Sequence, residues 1–478
     1  MSTSKTIVWF RQDLRISDNP ALSEAAENGS IIPVYILDDE NAGERKMGAA
    51  SRVWLHHSLQ KLNDALDGNL VLAKGDASQI IPELIKKTGA NAVYWNRCYE
   101  PWRIDRDKKI KEQLEADGIE AKSFNGSLLW EPWNTLKDDG TPYKVFTPFY
   151  KKGCLNAEAP REPLSAPSSL SFEKTDSLKL DELDLLPHDR EGNWDGEMVK
   201  EWTIGEDGAH ARLKEFLNDG GIDDYKEGRN MPAQTNVSRL SPHLHWGEVS
   251  PNQVWYAAIG KNDPHEKNTA HFLSELGWRE FSYSLLYHFP DLHWKNMQEK
   301  FDDFPWSDED SEALEAWQNG QTGYPIVDAG MRELYATGYM HNRVRMIVGS
   351  FLVKHLLIHW HKGEAWFWNC LVDADAASNT ASWQWIAGSG ADAAPYFRIF
   401  NPITQGEKFD KEGEYIRKWV PELYDIPNKY LNRPWEAPDN VLEYAKVTLG
   451  ETYPKPIIEH FEARDRALEA FQSIKKAA

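Results

Sequence analysis

Short apolar runs, rich in β-branched and aromatic residues, recur through the first quarter of the chain. They are Thr6–Phe10 (TIVWF), Ile32–Leu37 (IPVYIL), Leu70–Gly75 (LVLAKG) and Ala92–Asn96 (AVYWN). Such runs read as strands. Between them, Ser51–Leu66 and Asp105–Asp117 carry helical patterns. The alternation predicts a doubly wound, Rossmann-like parallel sheet. No GxGxxG follows the first strand, so the usual dinucleotide fingerprint is absent, and the fold alone says little about function.

The pattern fades from about Leu155 to Glu197. NAEAPREPLSAPSSLSF is rich in Pro, Ser and Ala, and DELDLLPHDREGNWDGE is acidic. Neither has a sustained period, which predicts a long connector draped over the surface. Beyond Trp202 the pattern is almost wholly helical, with stop signals at NMPAQ, TGYP and GSGADAAP. The expected organisation is an α/β domain over 1–130, a connector over 131–200 and a helical domain over 201–478.

Composition narrows the class. The chain has 478 residues, 41% of them apolar, and no window offers the roughly 18 to 20 apolar residues of a membrane span. MSTSKTIVWF has no secretory pattern. Three scattered cysteines (Cys98, Cys154 and Cys370) form no CxxC pair. That excludes a disulfide framework and a cysteine-held iron–sulfur cluster, and points to a reducing cytoplasm. A formal charge of −21 disfavours indiscriminate polyanion binding. The 21 tryptophans mostly fill a large core.

Five constellations carry candidate chemistry. Ser241-Pro242 reads as a side-chain cap followed by a first helical proline, and Ser238 and Arg239 beside it suit a phosphate. Glu275, Trp278 and Arg279 fall at i, i+3 and i+4, an aromatic wall beside a carboxylate. Asn342 and Met346 share one helical face, while Arg343 and Arg345 need partners for which Asp373 and Asp375 qualify. His355 and His359 have zinc-ligand spacing but lack a third ligand, so no metal is expected. Finally, Val372–Pro402 combines small polar residues, Trp383, Trp385 and a Gly/Ala-rich turn, offering backbone approach, acids and stacking planes.

With these residues in view the chain resembles the photolyase/cryptochrome family almost end to end. The resemblance rests on WFRQDLRISDNPAL (Trp9–Leu22), YKVFTPFYK (Tyr143–Lys151), SRLSPHLHWGE (Ser238–Glu248) and WREF (Trp278–Phe281). TGYPIVDAGMREL (Thr322–Leu334), MHNRVRMIVGSF (Met340–Phe351) and GADAAPYFRIFNP (Gly390–Pro402) extend it. Within the family the wording is most similar to bacterial cyclobutane pyrimidine dimer photolyases of the class III branch.

The resemblance implies an FAD in the helical domain, lined by Tyr225, Ser238, Arg239, Leu240, Ser241, Arg279, Asn342, Arg345, Asp373, Asp375 and Asn379. Arg345 and Asp373 would pair beside the ring, with Asn379 facing its N5. Val237 replaces the threonine of many relatives. Glu275, Asn342, Met346, Trp278 and Trp385 would line a lesion pocket. His341 stands one residue off the (6-4) photolyase pattern. Trp383, Trp360 and Trp306 match a chain of electron-carrying tryptophans. Arg229, Arg343, Arg398 and Lys408 would face DNA phosphates. Arg11, Asp38, Arg52 and Glu100 would hold a second, light-harvesting chromophore, methenyltetrahydrofolate or else a deazaflavin. The implied activity is light-dependent repair of UV-damaged DNA by a cytoplasmic monomer with no obligate protein partner; a signalling cryptochrome and a (6-4) photolyase are the alternatives.

Overall fold

A computed structural model describes residues 4–187, 194–307, 312–393 and 397–477. Backbone contacts group the chain into two compact units. The first comprises Met1–Asp219, Ser238–Pro290 and Val372–Ala377; the second comprises Gly220–Val237, Asp291–Leu371 and Ser378–Ala478.

The first unit is built on five parallel strands, β1 (Ser4–Phe10), β2 (Gly29–Leu37), β3 (Val71–Lys74), β4 (Ala92–Asn96) and β5 (Glu120–Phe124), in the order β3-β2-β1-β4-β5. Four of them fall on the apolar runs. β5, EAKSF, escapes the pattern because it pairs only with β4 and leaves Glu120 exposed, so an edge position relaxes its need for apolar residues. Helices α1 (Pro20–Asn28), α2 (Ala49–Ala65), α3 (Ala77–Thr88) and α4 (Pro101–Ala116) separate the strands. α1 and α3 were not among the expected helices, but their ends are marked. Asn19 and Asp76 cap them by accepting from Leu22 N and Ser78 N, and Gly89 ends α3 at φ +69°.

Strand alternation sorts the core. Val8, Phe10 and Tyr35 join Trp54 on one face, whereas Ile7, Trp9, Val34 and Trp95 join Ile110 on the other. The connector does more than drape. Ile31 bridges Phe172, Leu178 N donates to the Leu72 carbonyl at 3.0 Å, and Leu183 and Leu185 are buried. It thereby covers backbone groups along the open side of β2 and β3.

One arginine ties distant segments of this unit together. Arg15, fully buried, donates to the carbonyls of Asp18 (2.7 Å), Gly126 (2.7 Å) and Gly247 (2.9 Å). Gly247 sits at φ +64°, where a Cβ would lie 2.2 Å from the Gln12 carbonyl oxygen, so glycine is required there. Farther along, α5 (Lys267–His288) belongs to the same unit.

The second unit is helical. The site lies on α6 (Asn342–Ser350), α7 (Trp360–Cys370) and α8 (Ala376–Ala387), whose last ten residues belong to this unit. A π-helical turn, Phe351–His355, follows α6, and α9 (His460–Ala477) packs on it. Buried His355 is hydrogen-bonded to His460 at 2.9 Å.

Replacing Arg15 with lysine keeps the charge but supplies one point donor for three carbonyls. We expect a loss of roughly 2–4 kcal/mol from groups left unpaired, read by urea unfolding; unchanged stability would show that Arg15 is not the tie.

Candidate functional site

On the first unit, Ser238–Ser241 forms a bend whose backbone is held by Arg212 Nε donating to the Ser238 carbonyl at 2.8 Å. Arg239 adopts φ +52°, unusual for a residue with a side chain, and its guanidinium lies 4.2 Å from the Trp202 ring centre. Ser241 is not the helix cap expected of it. It is the first residue of the short helix Ser241–His245, with Leu240 at the cap position making no side-chain bond. Its hydroxyl instead donates to Asp373 Oδ2 at 2.6 Å. The turn before α8 is thereby fastened to the phosphate-type bend, and Trp246 Nε1, donating to the Val372 carbonyl at 3.1 Å, fastens it again.

Asp375 anchors a second network. It accepts from Tyr283 Oη at 2.5 Å and lies 3.7 Å from His245 Nδ1. Arg279 sits 4.8 Å over the Tyr283 ring and donates to the Ser127 carbonyl at 2.8 Å. Burial pushes the Asp375 carboxyl up, but hydrogen bonding and charge from His245, with Arg279 and Tyr283, hold it well below the usual range. Burial, reinforced by the Asp375 charge, raises the Tyr283 phenol far above its ordinary value. Tyr283 was not anticipated from sequence; it lies one helical turn after Arg279, the spacing that had singled out Glu275 and Arg279.

α5 also presents Glu275 and Trp278. Glu275 Oε1 is 3.7 Å from His271 Nε2. Trp278 is stacked on Phe146 at 3.8 Å and 9°, so one indole face is already covered. Tyr150 packs where a Cβ on Gly277 would be 2.5 Å away. Phe146 and Tyr150, both from YKVFTPFYK, brace the helix.

The second unit contributes Tyr225, Asn342, Arg345, Met346, Asn379 and Trp385. Asn342 is exposed at the start of α6 and Met346 half-buried one turn later, the shared face that the spacing predicts. Arg345 Nε donates to the Met340 carbonyl at 2.7 Å. Arg343 does not take an acid as its partner. It meets the Asn230 amide oxygen, the Met346 sulfur at 3.6 Å and the Phe409 ring at 4.5 Å. Asn379 is buried, with Nδ2 donating to the Glu364 carbonyl at 3.1 Å, which leaves its amide oxygen as the group to offer. The Trp385 indole is fixed through the Asp392 carbonyl at 3.0 Å.

Of the tryptophan set, Trp383 packs on Phe367 at 5.0 Å and against Gly363, three residues after Trp360 on α7. Trp360 is fully buried and donates from Nε1 to Asn296 at 3.0 Å. His359 joins it to Trp306, stacking on Trp360 at 5.6 Å and meeting Trp306 at 4.9 Å. Sequence reasoning considered His359 only as a metal ligand; its imidazole stands between two indoles, and no group of three metal-type ligands occurs among the described residues.

The expected phosphate-facing cations gather on the second unit. Burial, then the charges of Arg229 and Arg398, lowers the Arg343 guanidinium, the mark of cations held close together. Lys408 lies 5.1 Å from Phe409, the ring that also carries Arg343.

The residues expected to hold an antenna collect on the first unit around a narrow surface cleft near the carboxyl ends of β1 and β2. Arg11 and Asp38 line it directly. Arg52 and Glu100 stand one contact back, Arg52 bound to Asp39 at 2.7 Å and Glu100 to Arg103 at 2.9 Å. Tyr35, Trp102, Arg103 and Arg106, which the sequence reading did not put forward, line the same cleft. The last three fall at i, i+1 and i+4 in α4, whose start the helical period had placed too late.

Profiles for two families match the chain, "DNA photolyase" over residues 6–168 and "FAD binding domain of DNA photolyase" over residues 272–473. The deoxyribodipyrimidine photo-lyase of Agrobacterium fabrum is 50% identical, over 100% of this chain and 99% of that protein. This chain belongs to the photolyase/cryptochrome family. Cryptochrome-2 of Arabidopsis thaliana, another photolyase/cryptochrome relative, is 40% identical over 99% of this chain and 79% of its own length. The crystal structure of a class III photolyase from Agrobacterium tumefaciens superposes with a TM-score of 0.94 at 49% identity, covering 100% of this chain and 98% of the other. For this photolyase-family chain the donors at Ser238–Ser241 and Arg279, with the acceptors Asp373 and Asp375, fit a ligand with phosphates and hydroxyls, as FAD has.

The Asp375 network makes a pH-dependent prediction. A depressed carboxyl stabilises the fold above its unfolded value and loses that contribution as pH falls through the folded value. Asp375→Asn should therefore cost on the order of 2 kcal/mol at neutral pH, a gap that begins to narrow below about pH 4 and closes only as pH falls through the depressed folded value. Urea unfolding across pH 3–8 checks this, and a gap independent of pH would sink it.

Proposed function

We propose that this protein is a cyclobutane pyrimidine dimer photolyase, which uses light to split the dimers in UV-damaged DNA. The observation that carries the reading is the presence of Glu275, Asn342, Met346 and Asn379 on a chain similar end to end to a deoxyribodipyrimidine photo-lyase. When bound, reduced FAD supplies the electron that opens the dimer on illumination and recovers it afterwards.

The protein's part is binding, orientation and electrostatics. Ser238–Ser241 and Arg279 hold the phosphate end of FAD, while Arg345, Asp373 and Asn379 serve the ring. Glu275 and the exposed Asn342 hydrogen-bond the thymine edges, and Met346, Trp278 and Trp385 offer apolar surface to the flipped dimer. A dimer is poorly stacked in the duplex and costs least to extrude. The Arg229, Arg343, Arg398 and Lys408 group contacts phosphates, which an overall acidic protein permits because binding follows local potential. Trp383, Trp360 and Trp306 carry electrons from the surface to oxidised FAD.

The cleft around Arg11, Asp38, Trp102 and Arg106 takes a planar, anionic antenna chromophore. Methenyltetrahydrofolate is our assignment, with a deazaflavin second. Absorption of the chromophores released from purified protein by heat identifies it; a preparation showing FAD alone, even after both candidates are supplied, removes the antenna role from this cleft.

Reduced protein, an oligonucleotide with one thymine dimer, and blue light should restore thymine. Clean lesion binding without light-dependent restoration would overturn the repair reading in favour of a signalling role. Glu275→Ala should reduce repair per photon roughly tenfold with flavin still bound; unchanged yield removes Glu275 from the mechanism. Trp360→Phe should slow photoreduction of oxidised flavin while chemically reduced enzyme repairs normally. Equal slowing of both would mean that Trp360 serves only structure.

A further inference from the structure

If Trp383, Trp360 and Trp306 carry electrons, the outer step has to cross from Trp306 to Trp360. Trp360 is fully buried and Trp306 half-buried, as inner and outer members of such a path should be. Among the described residues, however, the two indoles make no ring contact with each other. Trp306 meets Phe304 and His359, whereas Trp360 meets His359 and His361. The ring they share is the His359 imidazole, 5.6 Å from the Trp360 ring centre at 28° and 4.9 Å from that of Trp306 at 68°. Electron tunnelling weakens steeply across an empty gap, and packed atoms between donor and acceptor carry it farther.

Two blander roles do not account for an imidazole at this place. His359 Nδ1 accepts the His361 backbone N–H at 3.1 Å and caps α7, but a cap asks only for an acceptor, which asparagine or serine supplies. Nor is the ring needed to hold Trp306. Ser307 N donates to the Leu357 carbonyl at 2.8 Å and Ser307 Oγ to the Leu356 carbonyl at 2.9 Å, fastening the Trp306 segment to the turn before α7. The cap does fix the state of the ring: with Nδ1 accepting, the proton sits on Nε2. Burial, then the charge of His361, pushes His359 down to about 4 against the opposing pull of Asp302. At neutral pH the ring is therefore uncharged, and positive charge can move from one indole to the other without meeting a cation.

The surroundings of Trp360 favour that movement. Its Nε1 donates to the Asn296 amide oxygen at 3.0 Å, and Asn296 Nδ2 donates in turn to Asp302 at 2.7 Å. An amide oxygen is too weak a base to take the indole proton. A Trp360 radical accordingly stays a cation and hands its charge on.

We propose that His359 is the relay through which Trp306 reduces Trp360, an aromatic bridge in contact with both indoles. This rests on the reading of the three tryptophans as an electron path to FAD. Trp360 gives one electron to the Trp383 radical cation left when Trp383 has reduced photo-excited FAD. Trp306 gives one electron, across His359, to the resulting Trp360 radical cation. The half-buried Trp306 then loses its N1 proton to water, and an added thiol returns the electron and the proton.

Asparagine and phenylalanine separate the ring from the cap. Protein holding oxidised FAD is excited by a flash, and the long-lived neutral tryptophan radical is followed by transient absorption. Trp306→Phe sets the floor, because no outer indole is left to lose a proton. His359→Asn keeps the cap acceptor and loses the ring. Its radical yield should fall to that floor, with Tm, flavin content and repair by chemically reduced protein at wild-type values. His359→Phe keeps a ring and loses the cap, so its yield should stay at the wild-type level while its Tm drops. Wild-type yield in His359→Asn would overturn the relay. So would an equal loss in both His359 variants, which would assign the effect to the cap. An undiminished radical in Trp306→Phe would overturn the tryptophan path, and the relay with it.

Discussion

The first unit depends on a guanidinium with no access to water. Arg15 fills a fully buried position and serves three backbone carbonyls contributed by the loop after β1, by Gly126 beyond β5 and by Gly247 before α5. Only the planar fork of arginine supplies several fixed donors from one centre. Asp18, equally buried, extends the tie: its carboxylate accepts from Arg161 at 2.6 Å, from Leu164 N at 2.8 Å and from Ser250. The sheet, the connector and the Ser238–Ser250 stretch are thereby joined by polar bonds whose loss would leave carbonyls unpaired in a dry interior. The phosphate-type bend and the Asp375 network sit on elements fixed in this way.

Charge is distributed unevenly to a purpose. The chain carries 75 acidic against 54 basic residues, yet the charges of Arg229 and Arg398 add to burial in lowering the Arg343 guanidinium. Acids elsewhere on the surface discourage general adhesion to polyanions, whereas a compact cationic group attracts phosphates over about one Debye length. Such a group cannot hold itself together. Buried side chains do part of that work: Lys354, pushed down to about 7 by burial and then by Arg398, donates to the Arg398 carbonyl, and His341 caps α6.

Much of the fold was legible where burial and period coincide. β1, β2 and β4 are continuous apolar runs because both faces of a central strand are covered. β5 was not legible, since an edge strand such as EAKSF tolerates polar residues. Nor was the course of the connector, whose Leu183 and Leu185 are buried although no periodicity flags them. At the site, the pairing of Asn342 with Met346 followed from helical spacing alone. Ser241 looked like a cap because Ser-Pro starts helices; its bond to Asp373, 132 positions away, has no local signature.

The sequence by itself determined the alternating architecture, the helical carboxy-terminal half and the family. These follow from local pattern and from motif wording, and both survive without coordinates. Only the tertiary structure decided which partner each polar group takes. Asp375 belongs to Tyr283 and His245, Arg343 to Asn230 and Phe409, and His359 to a pair of indoles. Each of these choices depends on side chains far apart in sequence meeting where water is scarce, and an unpaired buried group costs too much to leave the match to chance. The period of a helix fixes the face a residue occupies; the neighbours across that face are set by packing.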